Sequence, residues 1–452
     1  MKALLALMTL ALLACGPEAR SNGGGVDATP MGVDAHVPQA RVTGTVFAPK
    51  NGPTQVAAGL EIPIAGALIY ISDVKLPAIP DGVYCEKCID TPTGGGLSNA
   101  DGSFDIKVAP GDYWLTIQKG QFRLEQRVTV VDGDNPLLGT ATTLPSMHNP
   151  AVGAWIPRIA VVQGTSDNIE DVLGKLGFGT MSGDAWSNSN GENGAEIAIY
   201  RYEGAADSAA KLFTDINELR KYHLIFFPCR PAMGNPFGSS VTYDAMLNDQ
   251  AVLKNIRQYV AEGGKLYVTD WSGEIIDRAF PQQMQLGDDG ADTVGTYNPT
   301  TLGGTITTSG DADGARYSNN DGKAVQPDLA AWLSNQRAPT LTNPTPLPID
   351  PNVFPIIDNY NVIAKTQAVL LGNDANGTPA YDDPTVWVTG TSPLVGQPKA
   401  QAVTFSPVGC GKVMYSTFQT SNAPHVGMFP QERILLYLIM DIQQCSTTVV
   451  VE

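Results

Sequence analysis

Between Arg158 and Asp270, short apolar runs alternate with amphipathic stretches, and this alternation restricts the fold more than any other feature. "RIAVVQG" (158–164) is a near-continuous apolar strand followed by the helical pattern "DNIEDVLGKLGFG". "AEIAIYRY" is the next strand, "DSAAKLFTDINELRKY" the next helix, and "HLIFFP" a third strand. "NDQAVLKNIRQYVAEGG" reads as a helix that stops at its glycines, before the fourth strand "KLYVTD". Uniformly apolar strands separated by helices are buried on both faces, which calls for a parallel sheet with helices above and below. "QAVTFSP", "KVMYSTFQ" and a closing helix "PQERILLYLIMDI" complete the pattern, with Pro430 and Glu432 as N-terminal helix signals.

A chain of 452 residues is too long for one ordinary core, so two domains are expected. Upstream of the alternating region, residues 41–144 read as all-β. "RVTGTVFA", "AGALIYI", "GSFDIKVA", "GDYWLTIQ" and "QRVTVVD" alternate apolar and polar positions, with Gly, Pro, Asn and Asp at the joints. "NADGSF" (99–104) places Asp-Gly where a tight turn needs positive φ. Residues 145–157 read as a linker and 158–445 as the α/β domain. Within the latter, about 282–326 reads as a polar Gly/Asp-rich insertion and "NPTPLPIDPNVFP" as a Pro-rich crossing. Residues 446–452 form a tail. The expected fold is therefore an all-β sandwich followed by an α/β flavodoxin-like, doubly wound, mostly parallel sheet.

Two resemblances sharpen this reading. "PIAGALIYI … NADGSFDIKVAPGDYWLTIQKG" resembles the carboxypeptidase regulatory-like (transthyretin-like) domain, a spacer or carbohydrate-binding-like module without catalytic residues. "RIAVVQGTSDNIEDVLGKLGFG", "LRKYHLIFFPC", "IRQYVAEGGKLYVTDW" and "GCGKVMYSTFQTSN … PQERILLYLIMDI" resemble the class I glutamine amidotransferase-like superfamily, in its ThuA-like branch. That resemblance implies a nucleophile elbow of the form Gly-x-Cys-x-Gly after the fourth strand, where a neighbouring His and a helix N-terminus activate the thiol. Here the strand runs into "TDWSG", with Asp270 in the position that should hold the Cys. The family's downstream His-x-Glu is also missing, and Gln419 and then His425 follow "KVMYSTF" instead. Amidotransfer is not expected.

The N-terminal "ALLALMTLALLAC" is apolar but too short to span a bilayer, and its Leu12-Leu13-Ala14-Cys15 resembles a bacterial lipobox. The resemblance implies a signal peptide over 1–14 and lipidation of Cys15. Residues 15–40 then form a flexible tether to the outer membrane or cell surface of a Gram-negative envelope. A net charge of −17 argues against a nucleic-acid partner. In an oxidising compartment Cys85 and Cys88, within "YCEKC", are expected to form a local disulfide. Cys410 precedes its strand and Cys445 follows the closing helix, so these two are expected to pair at the amino edge of the sheet. That leaves Cys229 as the odd thiol.

Cys229 follows "HLIFFP" at the carboxyl end of the third strand, the edge where open α/β sheets bind ligands. His425 is expected on the same edge, and Asp270, Ser272 and Glu432 are able to approach. Two readings stay open: a non-catalytic protein binding envelope carbohydrate or another surface ligand, and a hydrolase using Cys229 or Asp270 with His425. A purely structural envelope protein is a third. "DADGARYSNNDG" (311–322) departs from a calcium loop, since Gly322 stands where the closing Glu is needed. No phosphate-cradling glycine motif follows any strand, so no cofactor or metal is expected.

Overall fold

The computed structural model describes residues 39–85, 95–164, 167–187, 196–200, 209–229, 248–287, 295–305, 319–373, 377–391, 398–420 and 424–442. The segments expected as signal peptide and tail, nearly all of the expected tether, Cys15, His36, Cys88, Cys445 and residues 311–318 lie outside the described residues.

The first eight strands are β1 (Ala40–Thr45), β2 (Leu68–Ser72), β3 (Gly95–Leu97), β4 (Ser103–Val108), β5 (Gly111–Lys119), β6 (Phe122–Val130), β7 (Gly133–Pro136) and β8 (Ala154–Trp155). They form one sheet in the order β3-β2-β5-β6-β8 and a second in the order β4-β1-β7. Alternation sends Val42, Ile69, Ile71, Phe104, Ile106, Leu115 and Ile117 into one shared core, an arrangement compatible with a β-sandwich. Gly102, with φ 77, makes the Asp-Gly turn into β4. Strand β8 lies within the segment expected as a linker, and pairs with β6.

The large sheet is built from β9 (Ile159–Val162), β10 (Ile197–Tyr200), β11 (Leu224–Phe227), β12 (Lys265–Thr269), β13 (Asn319–Ala324), β14 (Phe354–Ile357), β15 (Thr385–Thr391), β16 (Pro398–Phe405) and β17 (Lys412–Ser416). Its order is β10-β9-β11-β12-β17-β16-β15-β13-β14. The pairings from β10 to β17 are parallel. From β17 to β14 every pairing is antiparallel, so the sheet is mixed rather than mostly parallel. Sequence reading placed "QAVTFSP" and "KVMYSTFQ" in this half but missed its outer strands, because β13 is "NNDGKA", polar on its exposed positions, and β14 is "FPII", carrying Pro355. Pro is tolerated there because β14 is an edge strand.

The helices are α1 (Ile169–Lys175), α2 (Ala209–Thr214), α3 (Ile216–Leu219), α4 (Gln250–Ala261), α5 (Glu274–Ala279), α6 (Pro327–Leu333) and α7 (Pro430–Ile442). Alternate residues of the parallel strands serve opposite faces. Ala160, Val162, Ile225, Phe227, Leu266 and Val268 pack with α2 to α5. Ile159, Val161, Leu224, Phe226, Tyr267 and Met414 pack with α1 and α7, in a core continuous with that of the sandwich. Trp332 of α6 reaches across, its indole N–H donating to the Pro63 carbonyl at 2.7 Å.

The disulfide joins Cys85 to Cys410, 325 residues apart in sequence, in place of the expected Cys85–Cys88 and Cys410–Cys445 pairs. The reason is tertiary. The loop before Cys85 runs along the amino edge of the large sheet, where the Val83 N–H donates to the Arg220 carbonyl at 2.9 Å. His223 receives the Arg158 N–H on Nδ1 at 2.7 Å and faces the Pro80 carbonyl through Nε2 at 2.9 Å. Burial depresses the His223 pKa to about 4, consistent with a neutral ring whose Nε2 donates to Pro80. These contacts carry Cys85 to the turn preceding β17.

Candidate functional site

The carboxyl edge of the parallel strands is organised around Asp270. Strand β12 is wholly buried and turns at Asp270–Gly273 into α5. Asp270 has φ 48, in the left-handed region that non-glycine residues enter rarely and Asp more readily than most. Two donors hold its carbonyl in this orientation: Tyr415 Oη at 2.9 Å and Asn361 Nδ2 at 3.1 Å. Gly273 is required beside it, because a Cβ there would stand 2.7 Å from the Tyr415 ring. The backbone therefore has the strained strand-turn-helix form of an elbow, fixed by its surroundings.

The side chain at the elbow is not equipped like a nucleophile. Asp270 is fully buried; Gln419 Nε2 donates to Oδ2 at 3.3 Å, and the carboxyl also meets the Cys229 thiol and the Tyr360 N–H. Burial, reinforced by the charge of Asp167, raises its pKa to about 8, so the carboxyl is mostly protonated at neutral pH. Cys229 lies against it, free and buried, with the Trp271 N–H directed at its sulfur. Burial and the Asp270 charge push the thiol pKa well above its ordinary value, which disfavours a thiolate. The Trp271 indole donates to the Tyr360 carbonyl at 3.0 Å, and the two rings meet edge to face above the pair. Ser272 turns away and donates to the Pro228 carbonyl at 2.6 Å.

His425 belongs to a different network. Its Nε2 lies 2.8 Å from Glu432 Oε2 and 3.2 Å from Lys175 Nζ, and its ring stacks on Phe429 at 3.7 Å. Glu432 also accepts the Phe429 N–H at 2.6 Å, capping the start of α7, and its Oε1 lies 3.6 Å from Lys175 Nζ. The structure thus brings Cys229 and Asp270 together, and ties His425 to Glu432 and Lys175 at the α1–α7 contact.

Sequence reasoning missed two residue groups. Asp167, fully buried in the loop after β9, accepts from Thr269 Oγ1 at 2.6 Å and from the Thr420 N–H at 2.9 Å. Thr269 Oγ1 in turn accepts the Cys229 N–H at 2.9 Å, so one carboxylate ties four strand ends together. Its signal was a lone acidic residue in the first strand-to-helix loop, "GTSDN". The second group is Asp358–Asn361, "DNYN", directly after β14. Asp358 has φ 53, Asn359 and Asn361 are fully buried, and Tyr360 helps roof the elbow. A cluster of Asn and Asp after "FPII" was the available signal, obscured by the surrounding prolines.

Adjoining the elbow, a cleft of about 500 Å³ lies between the β13–β14 pair, the turn at Thr340–Thr342 and the start of α7. Gln419 and Gln431 connect the two regions: Gln431 Nε2 donates to the Gln419 carbonyl at 2.9 Å, and Gln431 Oε1 accepts the Ile357 N–H at 2.7 Å. Among the described residues, no cluster of His, Cys, Asp and Glu has the arrangement of a metal site, and no helix is long and apolar enough to cross a membrane.

No family model and no curated protein matches the chain. Among solved structures, "Cytoplasmic Protein STM3548 from Salmonella typhimurium" is similar over 54% of this chain and 80% of its own, at 15% identity and a TM-score of 0.25. A GH42 β-galactosidase, Gan42B, is similar over 65% of this chain and 31% of its own, at 11% identity and a TM-score of 0.27. Likenesses this distant carry no argument about fold or function.

Proposed function

We propose that this protein is a lipid-anchored envelope protein that binds a surface ligand without transforming it. In this reading Cys15 carries the anchor, and residues 41–144 form a carboxypeptidase regulatory-like sandwich. The strands β9 to β12 and β17 form a flavodoxin-like, doubly wound unit of the amidotransferase-like kind. Their spatial order, second-first-third-fourth-fifth along the chain, supports that assignment.

The observation that carries the non-catalytic reading is the state of the elbow. A nucleophile needs an ionised or base-activated group exposed to substrate. Asp270 is instead fully buried, with its pKa pushed up to about 8, against a thiol whose ionisation is itself suppressed. The hydrolase alternative requires His425 to serve Cys229 or Asp270, and that imidazole already lies against Glu432 and Lys175.

The test has two arms. Cys15→Ala is expected to move the protein from the membrane fraction to the soluble fraction. The soluble chain is expected to leave a panel of activated esters and amides uncleaved above background. Hydrolysis abolished by Asp270→Asn or Cys229→Ala would establish the enzyme instead.

A further inference from the structure

We infer that the cleft beside α7 is a binding site for a neutral, polyhydroxylated ligand, a short saccharide. This rests on the ligand-binding reading above and assigns that ligand a place and a chemical class.

The lining mixes neutral polar and apolar residues. Asn319, Asn320, Thr340 and Thr342 supply amides and hydroxyls, and Asp321 is the single ionisable group. Ile357, Phe429 and Leu341, the last 66% exposed, supply apolar surface. A sugar ring presents the same two faces, C–H groups on its flat sides and hydroxyls at its rim. A volume of about 500 Å³ lies within the size range of small-molecule sites.

Behind Asn320, which lines the cleft, lies a second irregularity. Strand β16 has an irregular register opposite Val388 and Thr389, which leaves Gln401 as the extra, bulged residue. The bulge places its side-chain amide over Gly390 of β15. There Gln401 and the Asn320 amide crowd a single point, the one that a Cβ on residue 390 would fill. Asn320 Oδ1 accepts from Asn359 Nδ2 at 3.1 Å, so Asn320 joins the cleft lining to the buried Asn359 behind it. Gln401 and Asn359 are fully buried, yet Gln401 Oε1, Gln401 Nε2 and Asn359 Oδ1 have no hydrogen-bond partner. Buried amide atoms are rarely left so.

These atoms lie behind the lining, so the cleft's own amides and hydroxyls set the class of ligand. A hydroxyl suits such a lining because it donates and accepts; a phosphate or carboxylate only accepts, and an ammonium only donates. The start of α7 offers an anion little, because Glu432 already occupies the Phe429 N–H. The sheet edge in the cleft is closed to a peptide strand at Ile357. Gln431 takes the Ile357 N–H there and approaches its carbonyl at 3.3 Å.

The experiment is saturation-transfer NMR on the full soluble chain with maltotriose, cellotriose and chitotriose, alongside glucose 6-phosphate and a charged tripeptide. At least one neutral trisaccharide is expected to bind. Thr342→Ala, on the exposed turn, is expected to weaken it about five-fold, the effect of one lost hydrogen bond. Gly390→Ala, which fills the point shared by the amides, is expected to weaken it at least as much. Since Thr342 is exposed, that variant reports on binding even if Gly390→Ala unfolds. Saccharide binding unchanged in both variants overturns the assignment to this cleft while leaving a binding protein. Binding of glucose 6-phosphate or the peptide alone overturns the chemical class, and no binding by any probe overturns the inference. Cleavage of a bound trisaccharide, seen by chromatography, would overturn the non-catalytic reading and leave the cleft in place.

Discussion

Asp270→Asn separates a structural elbow from a chemical one. In an unfolded chain Asp270 titrates near 3.8, whereas in the folded protein burial holds its pKa at about 8. Between these values the unfolded chain releases a proton that the folded protein retains. Stability is therefore unaffected by this group below about pH 4 and falls as pH rises toward 8. At about 1.4 kcal/mol per pH unit, the destabilisation reaches roughly 4 kcal/mol at pH 7. Asn removes the ionisation, keeps the size, and tolerates left-handed backbone as well as Asp does.

The variant should accordingly match wild type near pH 4 and exceed it by several kcal/mol at pH 8. Urea unfolding followed by tryptophan fluorescence at pH 4.5, 6, 7 and 8 measures the gap. Glu170, raised to about 7, and Asp382, raised to about 6, tilt both proteins alike, so the difference isolates Asp270. A gap independent of pH, or a variant less stable at pH 8, would refute the protonated-elbow account. So would wild-type stability that rises from pH 6 to pH 8 relative to the variant.

Two further outcomes follow from the packing. Cys410→Ser should cost about 2–5 kcal/mol, because the Cys85–Cys410 bridge closes a 325-residue separation; a midpoint shift under non-reducing conditions measures this, and an unchanged midpoint would contradict the pairing. Gly273→Ala should cost about 1–3 kcal/mol by pressing a methyl group on the Tyr415 ring, read by thermal unfolding; wild-type stability would mean the elbow is looser than described.

Several elements were legible because their signal is local. The continuous apolar runs in "RIAVV", "HLIFF" and "KLYVT" mark buried strands wherever they end up, and "NADGSF" demands its turn from backbone sterics alone. The turn after β12 and the absence of a thiol from it were equally plain in "TDWSG". His425 was expected beside Cys229 because both follow strands at one sheet edge. That inference used topology, which gives a shared edge but not the direction of a side chain, and contact with Glu432 and Lys175 decided the direction.

By itself, the sequence determined the strand-helix alternation, the absence of a Cys from the turn after β12, the acidic charge and the apolar N-terminal run. All of these rest on composition, steric turn preferences or hydrophobic period, which act over a few residues. Only tertiary structure decided that Cys85 meets Cys410, that a polar segment extends the sheet through β13, and that Asp167 ties four strand ends together. The protonation of Asp270 and the burial of the Gln401 and Asn359 amides belong with these. Each depends on what distant segments exclude water from, and burial is a property of the packed chain rather than of any short stretch of it.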